Sequence, residues 1–264
     1  MVCHHTVVDK CWGNAQSSSN NEFVWTYFGG STGFFRMQPA GKMPKSYDQT
    51  HRSWYMAALA NRWEDGDAAG YGLTVSTPYN DAFGAGEVIT MSQVVKRGGF
   101  DASDPVAGVV GVDLKLSTLK REVDAVGDCG RSNVECMLLD ETGHIIYHKD
   151  FTTTREADAN VFIASKHREV ANELINKGKL TQNTCFDYGS GLRKTSYNLN
   201  TNSADGGSLS CGNWALAKLG RANVYLLALS SNGCIVENSK REIGCKPCSV
   251  ENCNDWLNQD MDTR

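Results

Sequence analysis

Arg52 and Asp113 are the two residues of this sequence whose types and surroundings could do chemistry together. The stretch Ser46-Tyr47-Asp48-Gln49-Thr50-His51-Arg52-Ser53-Trp54-Tyr55 gathers three aromatic rings, a histidine and an arginine into one short segment of a chain with six tryptophans in all. An arginine in such company either reaches water or finds an anion. Asp113 sits inside the apolar run VVGVDL, and strand alternation puts it on one face with Ala107, Val109 and Gly111. Val110, Val112, Leu114 and Leu116 occupy the other. Burying a carboxylate there is costly unless it meets a cation or hydrogen-bond donors, and the small Ala107 and Gly111 are expected to leave open volume beside it. A guanidinium fork binds a carboxylate bidentately and an aspartate accepts from an ammonium, so a site holding both at its two ends complements a zwitterion such as a free α-amino acid. Plainer readings fit the same residues: Arg52 and Asp113 pair with each other, Arg52 lies on the surface, or the Asp113 face meets solvent beside Lys115.

Other constellations carry less. Cys245-Lys246-Pro247-Cys248 has the spacing of a thiol redox motif but closes a cysteine-dense tail instead of opening a helix after a strand, so structural disulfides are the default. Cys3-His4-His5 with Cys11 lacks a second ligand pair at zinc-finger spacing. The acidic clusters Glu64-Asp65-Gly66-Asp67 and Asp101-Ala102-Ser103-Asp104 do not follow a calcium-loop pattern and read as solvated loops. No G-x-S-x-G elbow, H-E-x-x-H or phosphate-binding loop is present, so no enzymatic function and no cofactor are expected.

The elements that must position Arg52 and Asp113 follow from length, composition and pattern. At 264 residues the chain exceeds one average domain. A formal charge of −4, from 26 basic and 30 acidic residues, gives no electrostatic footprint for nucleic acid. No apolar run reaches the roughly 18 residues that span a bilayer, and MVCHHTVVDKC is not a signal peptide. Ten cysteines, four of them in the last 31 residues, point to an oxidising compartment, so the chain is expected to be an excised extracellular ectodomain.

NAQSSSNNE (residues 14–22) reads as a linker, and structure is expected to begin after it. FVWTY (23–27) and GFFRM (33–37), joined by Gly29-Gly30-Ser31-Thr32, predict a hairpin; a short helix follows over 53–60 with Ser53 as its N-cap. YGLTVST (71–77), EVITMSQVV (87–95) and VAGVVGVDLKL (106–116) predict three more strands, and a helix over 117–125 links them to a second series. That series has strands at 135–140 and 144–148 around a Glu141-Thr142-Gly143 turn, a helix over 165–177, a polar stretch from 181 to 212, and strands at 224–230 and 234–237. The expected class is α+β, in two modules of similar architecture divided near residue 125.

The residues quoted above carry a resemblance. Tyr47, Arg52 and Trp54-Tyr55, then Thr77-Pro78-Tyr79-Asn80-Asp81, and the strand ending in Asp113 resemble the extracellular double Cache family, in particular its subset with an amino-acid recognition motif. The stretches FGGSTGFFRMQPAGKMPKSYDQTHRSWYMAALAN and MLLDETGHIIYHKD widen the likeness, over roughly residues 20–240, to the Cache regions of alpha-2-delta calcium-channel subunits and VWA-and-Cache proteins. The resemblance implies two stacked PAS-like antiparallel-sheet modules with flanking helices. Their expected bounds are an N-terminal segment 1–19, a ligand-holding module 20–116, a linking helix 117–126, a second module 127–240 and a cysteine-rich tail 241–264. It implies that Tyr47, Arg52 and Trp54 meet a ligand carboxylate while Tyr79 and Asp113 meet its amino group, and that Cys129 and Cys136 are bridged. The function it implies is an extracellular sensory domain that binds a free amino acid, with a membrane channel or receptor as partner. The alternative is a structural interaction ectodomain of a channel auxiliary subunit that binds no ligand.

Overall fold

The computed structural model describes residues 23–65, 68–81, 84–98, 104–151, 161–187, 192–201, 204–210 and 212–231. The expected linker 14–22, the Cys3-His4-His5-Cys11 group, the strand at 234–237 and the Cys245–Cys248 motif lie outside the described residues, as do parts of both acidic clusters.

Two antiparallel sheets carry the fold, which is α+β as the sequence predicts. The first is built from β1 (Phe23–Gly30), β2 (Phe35–Gln38), β5 (Thr74–Val75), β6 (Tyr79–Asn80), β7 (Glu87–Lys96) and β8 (Val106–Lys115), in the order β2-β1-β8-β7-β5 with β6 also on β7. A small ribbon of β3 (Arg62–Asp65) and β4 (Ala68–Tyr71) stands apart from it. The β-branched run of β8 suits a central strand, and its neighbours set the register: Trp25 and Thr90 face Asp113 from either side, and Tyr27 and Ser92 face Gly111.

Helix α1 (Ser53–Ala60) lies over this sheet, burying Tyr55 and Ala58 with Val109. Its N-cap is Arg52 in extended conformation, with no side-chain cap. Ser53, the expected cap, is instead the first helical residue, because the 3-10 turn Gln49–His51 delivers the chain one residue earlier. Helix α2 (Leu116–Asp124) follows β8 directly and turns Leu116 and Val123, one face of a 3.6-residue period, into the core.

The second sheet runs β10-β9-β15-β14-β13, from β9 (Val134–Asp140), β10 (Ile145–Tyr147), β13 (Asp205–Leu209), β14 (Gly212–Lys218) and β15 (Val224–Ser231). The β9–β10 turn is the predicted one: Asp140 Oδ1 accepts from the Thr142 and His144 backbone N–H groups at 2.8 and 2.9 Å, and Gly143 supplies a φ of +82°. Where one helix is predicted, α3 (Ile163–Lys166) and α4 (Arg168–Asn176) meet at His167, whose φ of −132° breaks the helical path. The stretch 181–212, read from sequence as merely polar, holds strands. A hairpin of β11 (Leu180–Asp187) and β12 (Leu192–Leu199) stands off the main sheet, and β13 and the start of β14 also fall there.

One apolar core runs through both halves, joining Val75, Ile89 and Leu114 of the first sheet to Met137, Leu139, Leu216 and Leu227 of the second. Asn223, just before β15, locks the join: its side chain accepts from Val75 N at 2.8 Å and donates to Val75 O at 3.1 Å.

Cys129 and Cys136 are bridged, tying the segment after α2 to β9. Their separation of 7 in sequence closes a short loop, which the chain-entropy account values at about 2–3 kcal/mol. Replacing both cysteines by serine is therefore expected to lower unfolding stability by about that amount in denaturant titration. Unreduced peptide mapping that found two free thiols would remove the basis for it.

Candidate functional site

A cavity of about 960 Å³ opens over the helix-covered face of the first sheet. Its wall includes Tyr47, Arg52, Trp54, Tyr79 and Asp113, so the residues singled out from sequence converge on one space although they span 67 positions from Tyr47 to Asp113. The volume lies in the range of small-molecule sites. Asp140, Glu141 and Asn223 of the second half also line it.

The arginine segment is fixed from below. Asp48 caps the 3-10 turn by accepting from Thr50 N at 2.9 Å, and its other oxygen lies 3.0 Å from His51 Nδ1. Gln49, only 1% exposed, donates to Gly30 O at 2.9 Å and Phe34 O at 3.2 Å, plugging the segment into the β1–β2 hairpin. These ties aim Tyr47, Arg52 and Trp54 at the cavity. The Arg52 guanidinium lies 4.6 Å from the centre of the Tyr47 ring, within cation–π range. Burial raises the Tyr47 phenol above its ordinary pKa, while hydrogen bonding to Trp54 and the Arg52 charge pull it back. Arg52 makes no ion pair with a carboxylate among the described residues, so the reading in which it pairs with Asp113 does not hold. Arg52 is nonetheless exposed, as the surface reading had it, at the mouth of the cavity.

Asp113 lies at the other end and is 5% exposed, so its face does not meet bulk solvent. Its Oδ1 accepts from Tyr27 Oη and Thr90 Oγ1, both at 2.7 Å. Tyr79 Oη lies 2.7 Å from Thr90 Oγ1 and, with that hydroxyl committed to Asp113, donates to it. Burial pushes the Asp113 carboxyl up to about 6, against the hydrogen bonds from Tyr27 and Thr90 that favour its charged form. Burial first, and the Asp113 charge second, hold the Tyr27 and Tyr79 phenols well above their ordinary range, so both remain protonated donors.

The open volume expected over Gly111 is filled. A side-chain Cβ at Gly111 would overlap the Tyr27 ring, which crosses above this glycine from the neighbouring strand to reach Asp113. Glycine is needed there for close packing, and the cavity opens beyond the ring. Trp54 meets Tyr27 edge-on at 4.8 Å between centroids, and Phe35 lies 6.0 Å from Tyr27 and 4.9 Å from Tyr47, so the rings run on from Tyr47 beside Arg52 to Tyr27 beside Asp113.

Sequence reasoning missed Tyr27, Thr90 and Gln49. Thr90 and Ser92 gave a signal, being the polar residues that alternate with Ile89 and Met91 in β7 and share the Asp113 face. Tyr27 and Gln49 gave none, because a strand tyrosine and a loop glutamine are ordinary until their partners are known.

A two-sheet α+β fold thus carries an aromatic-walled cavity over one sheet, with an arginine and an aspartate in its wall, and in sequence the chain is similar to a Cache-containing protein. No family model matches the chain. It is 25% identical over 236 residues to the VWFA and cache domain-containing protein CG16868 of Drosophila melanogaster, covering 83% of this chain and 16% of that protein. It is 34% identical over 132 residues to the methyl-accepting chemotaxis protein McpA of Pseudomonas putida, covering 50% and 18%. The chain thus spans under a fifth of either relative. Among solved structures, the ligand-binding domain of the Pseudomonas fluorescens chemoreceptor CtaA in complex with L-leucine aligns over 83% of this chain and 73% of its own, with a TM-score of 0.46 and 21% identity.

Proposed function

We propose that this chain is an extracellular sensor domain that binds a free α-amino acid, or a close analogue, without turnover. The observation that carries the reading is the two-ended cavity: Arg52 at one end without a protein carboxylate, and Asp113 at the other without a protein cation among the described residues. Tyr47, Arg52 and Trp54 would hold the ligand carboxylate, while Asp113, with Tyr79 beside it, takes the ammonium. Tyr27 and Thr90 hold the Asp113 carboxylate in place but leave room for a stronger, charged donor. The module bounds go with this reading, namely ligand module 20–116, linking helix 117–126, second module 127–240, and flanking segments 1–19 and 241–264. Sensing then means that a bound ligand orders the Tyr47–Trp54 and Tyr79 segments, and the Asn223–Val75 lock transmits the change to the second half. An alpha-2-delta-like membrane-associated setting with a channel or receptor partner rests on sequence resemblance alone.

A thermal-shift scan of the twenty amino acids tests it, on protein refolded from denaturant to release any co-purified ligand. At a hundredfold excess over Kd, linkage supplies about 2.7 kcal/mol, which for a chain of this size raises Tm by roughly 5–10 °C. No shift and no calorimetric heat for any of the twenty would sink the proposal in favour of a structural interaction domain.

A further inference from the structure

A second cluster lies in the other half of the molecule, and the amino-acid reading does not use it. His148, the residue after β10, is 2% exposed; His167 stands at the α3–α4 break; Glu135 is in β9. Their ligand atoms converge. His148 Nε2 lies 2.9 Å from Glu135 Oε1 and 3.2 Å from His167 Nε2, and His167 Nε2 lies 3.7 Å from the same Glu135 oxygen.

Metal geometry can be compared with these three distances. Bonds of about 2.0–2.1 Å at tetrahedral angles set ligand atoms about 3.3–3.4 Å apart, and the observed edges scatter about that value. A point about 2.05 Å from all three atoms stands about 0.7 Å off their plane, which is the height an ideal tetrahedron requires, and leaves the fourth position open. We propose that Glu135, His148 and His167 form a binding site for a divalent transition ion of the Zn²⁺ class, which pins β9, β10 and the α3–α4 corner together.

The surrounding groups define a metal-free and a metal-bound hydrogen-bond pattern. Without metal, the Asp150 backbone N–H donates to His148 Nδ1 at 3.1 Å, so the imidazole proton sits on Nε2 and points at Glu135 and His167. A metal takes the place of that proton, and the neutral ring then carries its hydrogen on Nδ1. That change costs the bond from the Asp150 backbone N–H, and the Asp150 carboxylate oxygen, 3.5 Å from Nδ1, is the nearby acceptor that would take its place in a carboxylate–histidine–metal pattern. Burial lowers the pKa of His167, favouring the neutral ring that ligates. Lys149 opposes the metal: its Nζ lies 3.3 Å from Glu135 Oε1, but its side chain is 56% exposed and free to swing into water. The disulfide at Cys136 adjoins Glu135 in sequence and steadies the strand that carries it.

The full chain, stripped with chelator, is titrated with Co²⁺ and then Zn²⁺, following visible absorption and calorimetric heat. One equivalent of Co²⁺ with the intense bands of a four-coordinate ion, displaced by Zn²⁺, is the expected result. His148→Ala, His167→Ala and Glu135→Gln are each expected to weaken Zn²⁺ by more than the roughly 10–100-fold that loss of an outer partner costs. Lys149→Ala is expected to tighten it, an effect a purely structural ion-pair cluster would not produce. Asp113→Asn is expected to leave it unchanged. If the buried His148 variant fails to fold, the less buried His167 variant decides, with melting curves confirming that it folds. Absence of stoichiometric binding, or binding that survives His167→Ala unweakened, overturns the proposal; in the latter case histidines or cysteines elsewhere in the chain hold the ion.

Discussion

Replacing Arg52 by alanine is expected to weaken amino-acid binding by about 1.5–3 kcal/mol, roughly ten- to 150-fold, while the chain folds normally. The magnitude is that of charge-assisted hydrogen bonds to a carboxylate, kept to the modest side because Arg52 stands at the mouth of the cavity and not in its depth. Folding is spared because Arg52 contributes its backbone to the helix start, and its exposed side chain stacks on Tyr47 with no ion pair among the described residues. A loss of affinity alone would not prove contact, so ligand analogues supply the decisive comparison. An amino-acid amide, which lacks the carboxylate charge, is expected to bind the parent far more weakly than the acid does, yet to lose little further on Arg52→Ala. An N-acetyl analogue is expected to behave in the same way toward Asp113→Ala. Non-additivity of this kind is the mark of direct interaction. Equal losses on parent and variants for both analogues would mean that neither residue touches the group assigned to it, and the proposed orientation would be abandoned.

Both charged ends of that cavity were legible in the sequence because each breaks a local pattern. Asp113 interrupts an apolar strand, and Arg52 interrupts an aromatic cluster. The supports of those charges were not legible, since they satisfy local patterns. Tyr27 is an unremarkable strand residue until β1 pairs with β8 and sets its ring over Gly111. Gln49 reads as a solvated loop residue, yet two hairpin carbonyls bury it. The same logic explains the strands overlooked between 181 and 218. In β11, Thr181 to Thr184 are all exposed polar residues, so this run writes no hydrophobic alternation. In β14, Trp214 and Leu216 are buried on one face, but exposed Ala215 on the other blurs the period. Asn223 could not be foreseen at all, because its partner Val75 is 148 residues away.

Asp113 carries the second large effect, and its direction is opposite to that of a salt-bridged carboxylate. Burial places its folded-state pKa at about 6, above the roughly 3.9 of an unfolded aspartate. Between those two values the folded, ligand-free chain holds a proton that the unfolded chain has released, so stability increases as pH falls through this window. The gain approaches about 3 kcal/mol by pH 4, is complete below the unfolded value, and is absent above about pH 7. Ligand affinity is expected to run the other way, because an ammonium needs the ionised carboxylate. Below pH 6 it is expected to fall toward tenfold per pH unit, with a proton released from Asp113 on binding. The isosteric Asp113→Asn variant cannot ionise, and it keeps groups that Tyr27 and Thr90 can hydrogen-bond. Melting curves and calorimetry on both proteins from pH 4.5 to 7.5 isolate the effect, since Glu135, held down at about 2, and His167 titrate in both alike. The parent-minus-variant difference is expected to slope downward in ligand-free stability, and upward in affinity, as pH rises. If that difference is flat in stability, Asp113 is not the buried, proton-holding acid the structure describes. If it is flat in affinity alone, the ligand's ammonium binds elsewhere in the cavity.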